Sequence, residues 1–255
     1  MSEQADISRA RHAVKVFAAG SLKAAITEAV TGLAGRTPPL VLEPVFGATG
    51  LLRERIERGE AADVLLSADL AHPQALYACG LAIDPPRPFA RNVMCLLVRP
   101  GLDVSARSAL DVMLDPAIRL GMSSPGTDPS GDYALAVFAK TGTVRAGAQQ
   151  ALDAKALRLT GGRTTPKPGD GRNTYAALLE QGDCDVFLTY ATNALSARQA
   201  NAGIGMMALP DDIAVEAVYG LAVLAGAPPA AHDFAAWITG TDGAAMLRRH
   251  GFRPA

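Results

Sequence analysis

Short apolar runs alternate with amphipathic segments along almost the whole chain, and no other feature narrows its possible folds as much. VKVFAA (14–19), LVLEPVF (40–46), ADVLLSA (62–68), NVMCLLV (92–98), residues 118–122, CDVFLTY (184–190), IGMMAL (204–209) and YGLAVL (219–224) have the length and composition of strands. Leu22, Ile26, Ala29, Val30 and Leu33 mark one face of a helix after the first run. LLRERIER (51–58) is a charged helix that stops at Gly59, and further helices are predicted at HPQALYACG, over 132–140 and at TYAALLEQG. The tail DFAAWITGTDGAAMLRRHGF reads as one or two helices that end near Gly251. This alternation predicts an α/β fold with mixed, mostly parallel sheets. The motifs fall into two groups, one around strands near 16, 43 and 65 and one around strands near 95, 120 and 187. Two lobes with a ligand cleft between them fit, because α/β sheets bind ligands at the carboxyl ends of their strands.

Charge and composition exclude several classes of function. Lys and Arg total 24 against 25 Asp and Glu, with no concentrated basic run, so no nucleic-acid partner is expected. No apolar stretch approaches the roughly 18 residues of a membrane span. The start, MSEQADISRARHAVKVFAAGSL, is polar through His12 and is interrupted at Lys15, so it does not read as an export signal. Residues 1–13 are expected to be a flexible tail or an added remnant. The chain is then either cytosolic or given without its leader. Cys79, Cys95 and Cys184 are odd in number and lack CxxC spacing, which points to buried structural thiols. His12, His72, His232 and His250 show no metal-ligand spacing. A G-x-S-x-G elbow, a phosphate loop and a dinucleotide fingerprint are all missing, so neither catalysis nor a cofactor is expected.

The informative residues lie where strands give way to helices. The first strand leads into Ala19-Gly20-Ser21 and the second into Gly47-Ala48-Thr49-Gly50. GMSSPGTDPSGDYA places Asp128, Ser130 and Gly131 just before a helix, and GDGRNTYAALL places Gly171, Arg172 and Asn173 likewise. A helix start carries unpartnered N–H groups and partial positive charge. Small and hydroxyl residues let an anion approach those groups and add neutral donors. Donors alone favour a fully deprotonated dianion, since a protonated oxyanion also needs an acceptor. Each junction taken singly is equally an ordinary N-cap, and Tyr190 alone is an ordinary strand-end aromatic. Asp63 and Asp69, which flank VLLSA, are expected to cap or pair rather than face an anion.

VFAAGSL, FGATGLLRERIERGEAADVLLSAD, the DPSGDYA junction, DVFLTYATNAL and the closing RRHGF, in this order from Val14 to Phe252, resemble the periplasmic molybdate- and tungstate-binding proteins of ABC importers. The resemblance implies a two-lobed, type II periplasmic-binding-protein fold, with lobe 1 at 14–85 and 200–255 and lobe 2 at 86–199. It implies a monomeric receptor in the periplasm that closes on molybdate or tungstate and delivers it to the membrane subunits of a transporter. The molybdenum is cargo, held as an oxyanion by hydrogen bonds and not ligated by the protein. Ser21 corresponds to the family's first serine ligand, Thr49 to the second hydroxyl, Ser130 to a helix-start backbone amide, and Tyr190 to the ligand tyrosine. Ala48-Thr49 stands where Ser-Ser is common. Arg172 and Asn173 stand where an apolar residue usually offers its amide, so Arg172 either adds an ion pair or points to solvent. Two alternatives stay open: a cytosolic domain that senses an oxyanion or effector, and an enzyme of similar fold acting on an anionic substrate.

Overall fold

The structure is a computed structural model that describes residues 13–165 and 172–255. The expected tail, up to His12, and Gly171 of the fourth junction lie outside the described residues. The chain divides into two compact units, one running up to Arg91 and resuming at Val218–Ala255, the other comprising Asn92–Ala217.

In the first unit, β1 (Val14–Ala19) pairs in parallel with β2 (Leu42–Gly47) on one side and β3 (Val64–Ser67) on the other. β9 (Glu216–Val223) runs antiparallel to β3. Val16, Phe17, Leu65 and Leu66 are fully buried, which is why β1 and β3 read as largely apolar runs and not as alternating ones. A 3-10 turn (Gly20–Leu22) leads from β1 into α1 (Lys23–Ala34), whose Ala25, Ile26, Ala29 and Leu33 form the buried stripe. α2 (Thr49–Glu57) follows β2, and α3 (Ala71–Ala78) follows β3. Phe17, Leu52, Leu65, Leu76, Ala222 and Leu224 share one core. The tail forms α9 (Pro229–Thr239) and α10 (Thr241–Arg249).

β4 (Arg87–Val98) enters the second unit at Asn92 and is flanked there by antiparallel β7 (Val186–Tyr190) and β8 (Gly205–Ala208). β5 (Leu120–Ser123) runs parallel to both β7 and β6 (Leu157–Thr160). The helices are α4 (Ala109–Leu114), α5 (Pro129–Val144), α6 (Ala148–Lys155), α7 (Thr174–Gln181) and α8 (Ala191–Ala200). Asp185, just before β7, accepts hydrogen bonds from the Arg119 and Arg99 side chains. The Arg119 bond, more than any other influence, holds its carboxyl down at about 2.

The α/β fold matches the sequence reading, with two differences, at the start of α5 and at Cys79. The sheets are mixed as expected, with β9, β4 and β8 each entering antiparallel pairings. α5 begins at Pro129, not Asp132: Asp128 supplies the cap and proline suits the first helical turn. Cys95 and Cys184 are buried, and burial pushes both thiols up to about 12, but Cys79 ends α3 on the exposed surface.

Candidate functional site

In the first unit, the parallel register pairs Ala19 with Gly47 and Ala18 with Leu66, so the carboxyl ends of β1, β2 and β3 lie at one edge of the sheet. Ser21 and Thr49 each follow two residues beyond the Ala19–Gly47 pair. Both are candidate N-caps by sequence, and neither acts as one. The caps of the 3-10 turn, α1 and α2 are Ala19, Leu22 and Ala48, with no side-chain capping bond. The Ser21 hydroxyl is instead 2.7 Å from the Tyr219 hydroxyl on β9. Thr49 is fully buried in the first turn of α2, and among the described residues its Oγ1 receives a long 3.5 Å bond from the Ala68 N–H. Asp63 accepts the Lys15 N–H at 2.7 Å, and Asp69 accepts the His72 N–H and the Ser67 hydroxyl. Both carboxylates are thus engaged within the fold.

In the second unit, the segment 123–131 folds tightly back over the start of α5. An added Cβ at Gly131 would meet Pro125 N at 2.5 Å and Ser123 O at 2.7 Å, so only glycine fits there. Ser130 lies in the first turn of α5 and not ahead of it. Its N–H donates to Asp128 Oδ1 at 3.0 Å, so the amide expected to meet an anion is engaged by the helix cap. Its hydroxyl, by contrast, is buried and has no hydrogen-bond partner among the described residues. Tyr133, in the same first turn, packs edge-on against Tyr190 with ring centroids 6.2 Å apart, which places the Tyr190 ring beside this helix start. Tyr190 ends β7 and is 2% exposed.

At the fourth junction Asn173 is fully occupied as a cap. Its Oδ1 accepts the N–H groups of Tyr175 and Ala176, and its Nδ2 donates to Ser196 Oγ at 3.0 Å. Arg172 is exposed. Beneath these helix starts runs a polar network that the sequence did not announce. Ser123 and Thr160 share a hydroxyl bond of 2.8 Å, while Asn193 Nδ2 donates to Tyr175 Oη and Thr189 Oγ1. Burial, reinforced by the nearby Asp128 charge, pushes the Tyr175 phenol well above its ordinary range, so it stays neutral. Sequence reasoning also missed Tyr219, whose one visible signal is a tyrosine followed by glycine at the start of an apolar run.

Among the described residues no cluster of three His, Cys, Asp or Glu side chains is arranged to hold a metal ion. No described helix is long and apolar enough to cross a membrane. The sequence profile of a family described as bacterial extracellular solute-binding protein matches residues 14–253. An uncharacterized protein of Pasteurella multocida is 35% identical over 243 residues, covering 95% of this chain and 99% of its own. A molybdate-binding protein, ModA, of Mycobacterium bovis is 25% identical over 253 residues, covering 98% and 88%. Among solved structures, the sulfate-binding protein SubI of Mycobacterium tuberculosis superposes with a TM-score of 0.80 at 19% identity, over 96% of this chain and 88% of that one.

Proposed function

Because the chain belongs to the bacterial extracellular solute-binding proteins, which deliver small solutes to ABC importers and are binding proteins and not enzymes, we propose that it is a periplasmic receptor for molybdate, with tungstate as a near-equivalent ligand. It works as a single chain and hands its cargo to the membrane subunits of the importer. The hydroxyl groups proposed as oxyanion donors are Ser21 and Thr49 in the first unit, and Ser130 and Tyr190 in the second. Arg172, at the exposed fourth junction, adds long-range attraction, while Asn173 holds α7 in place.

The observation that carries this reading is the Ser130 hydroxyl, which is buried, unpartnered and set in the first turn of a 16-residue helix. Burying a hydroxyl without a partner costs about 1–3 kcal/mol, and an oxyanion at a helix start would offset that cost. The identity to ModA of Mycobacterium bovis supports molybdate in particular. Because the Ser130 amide is already engaged, its hydroxyl replaces the amide as donor.

The test is thermal unfolding with molybdate, tungstate, sulfate and phosphate, followed by calorimetric titration. Molybdate and tungstate should raise the melting temperature with the logarithmic concentration dependence of a linked ligand. Sulfate and phosphate should not. Stabilisation by sulfate alone reassigns the cargo, and indifference to all four removes the oxyanion reading.

A further inference from the structure

We propose that Tyr219 is a positioning residue that turns Ser21 into a dedicated donor toward the bound oxyanion. The inference rests on the receptor reading above and adds to it a residue outside the hydroxyl set. Tyr219 is fully buried on β9, and its hydroxyl is 2.7 Å from Ser21 Oγ. Its ring is held edge-on by Phe89, at 6.1 Å and 90°, and by Phe252, at 5.3 Å and 81°. The phenol oxygen is therefore fixed, and Ser21, in a three-residue 3-10 turn with no capping bond of its own, must adapt to it.

Two hydroxyls in contact share one hydrogen bond, and in the ligand-free protein either can donate. A bound dianion removes that choice. It accepts hydrogen bonds only, so Ser21 can serve it only by pointing its single proton at it. The Ser21 oxygen is then left as an acceptor for the Tyr219 O–H, giving a directed chain from phenol to serine to anion. A hydrogen bond received at Oγ polarises the serine O–H and strengthens the bond it gives. The fixed ring also spares the serine part of the ordering cost of binding.

A double-mutant cycle on the full chain, titrated with molybdate by calorimetry, tests this. Ser21→Ala removes the donor and should weaken binding roughly 10- to 100-fold, as expected for a hydrogen bond to a charged group. Tyr219→Phe keeps the ring between Phe89 and Phe252 and removes only the hydroxyl. It should weaken binding by roughly 3- to 10-fold, the share due to polarisation and orientation. The double variant should bind as Ser21→Ala alone, since the phenol then has nothing to direct. A purely structural Tyr219 would give losses that multiply, and that result overturns the proposal, as does a Tyr219→Phe variant that binds like the wild type. Failure of the receptor reading looks different: the wild type itself is indifferent to molybdate and tungstate. If sulfate binds instead, the same cycle run with sulfate separates a positioning Tyr219 from a structural one in the same way. Indifference of the wild type to all four oxyanions overturns both proposals together.

Discussion

Replacing Ser130 with alanine should move stability and affinity in opposite directions. In the ligand-free protein the Ser130 hydroxyl is 1% exposed as a residue and meets no partner. On unfolding it regains water, so its removal relieves the folded state of part of a penalty of about 1–3 kcal/mol. The backbone N–H still donates to Asp128 Oδ1, so the helix cap survives. A net gain of about 1 kcal/mol corresponds to a rise of roughly 2–4 °C in the melting temperature of a chain this size. Binding loses a hydrogen bond to a charged group, about 1.5–3 kcal/mol, or roughly 10- to 150-fold in affinity. Differential scanning calorimetry of the empty protein and titration with molybdate read the two effects separately. If the backbone amide were the true donor, alanine would bind like serine. Unchanged affinity, or a lower melting temperature in the empty protein, would refute the assignment of the hydroxyl.

Other perturbations follow from neighbouring contacts. Asp128→Ala should cost about 1 kcal/mol of stability through the lost N-cap, yet tighten oxyanion binding because it frees the Ser130 amide and removes a negative charge; weaker binding would contradict this. Gly131→Ala drives a Cβ to within 2.5 Å of Pro125 N and should destabilise by about 1–3 kcal/mol, as overpacking does, visible as a lower urea midpoint. The Asp185 carboxyl titrates at about 2 in the folded protein against an ordinary 3.8. Its folded pKa is depressed, so its contribution is complete above about pH 4 and drains away as pH falls toward 2. We expect about 1–2 kcal/mol, less than the full shift implies because Arg99 and Arg119 are partly exposed. The advantage of wild type over Asp185→Asn in urea unfolding should vanish across that window, and a constant difference from pH 6 to pH 2 would exclude the ion pair as its source.

The sequence reveals those elements whose side chains are apolar enough to mark them. VKVFAA coincides with β1 residue for residue, because both faces of the strand are buried. β6 and α8 carry no such mark. LRLT leaves Leu157 exposed, and ATNALSARQA carries alanine where a longer apolar face would betray a helix. β4 starts at Arg87, five residues before the apolar run; in RPFAR only Phe89 and Ala90 are buried, too short an apolar stretch between charged residues to mark a strand. Ser21, Thr49 and Ser130 stand out in the sequence at their strand-to-helix junctions, and Tyr190 stands out only through the family resemblance. What they do there is less legible. Whether a serine caps a helix or faces a tyrosine depends on a partner 198 residues away. Whether Ser130 offers its amide or its hydroxyl depends on the rotamer of Asp128.

The last few residues of the chain reach unexpectedly far inward. Arg253 exchanges backbone hydrogen bonds with Arg91, 2.9 Å in each direction, and this seats Phe252 against the ring whose hydroxyl meets Ser21. Removing the residues from Arg253 onward would leave every proposed oxyanion donor in place. It would nevertheless loosen the tyrosine behind one of them, so on the proposed reading a protein cut at that point should differ in affinity from the intact one.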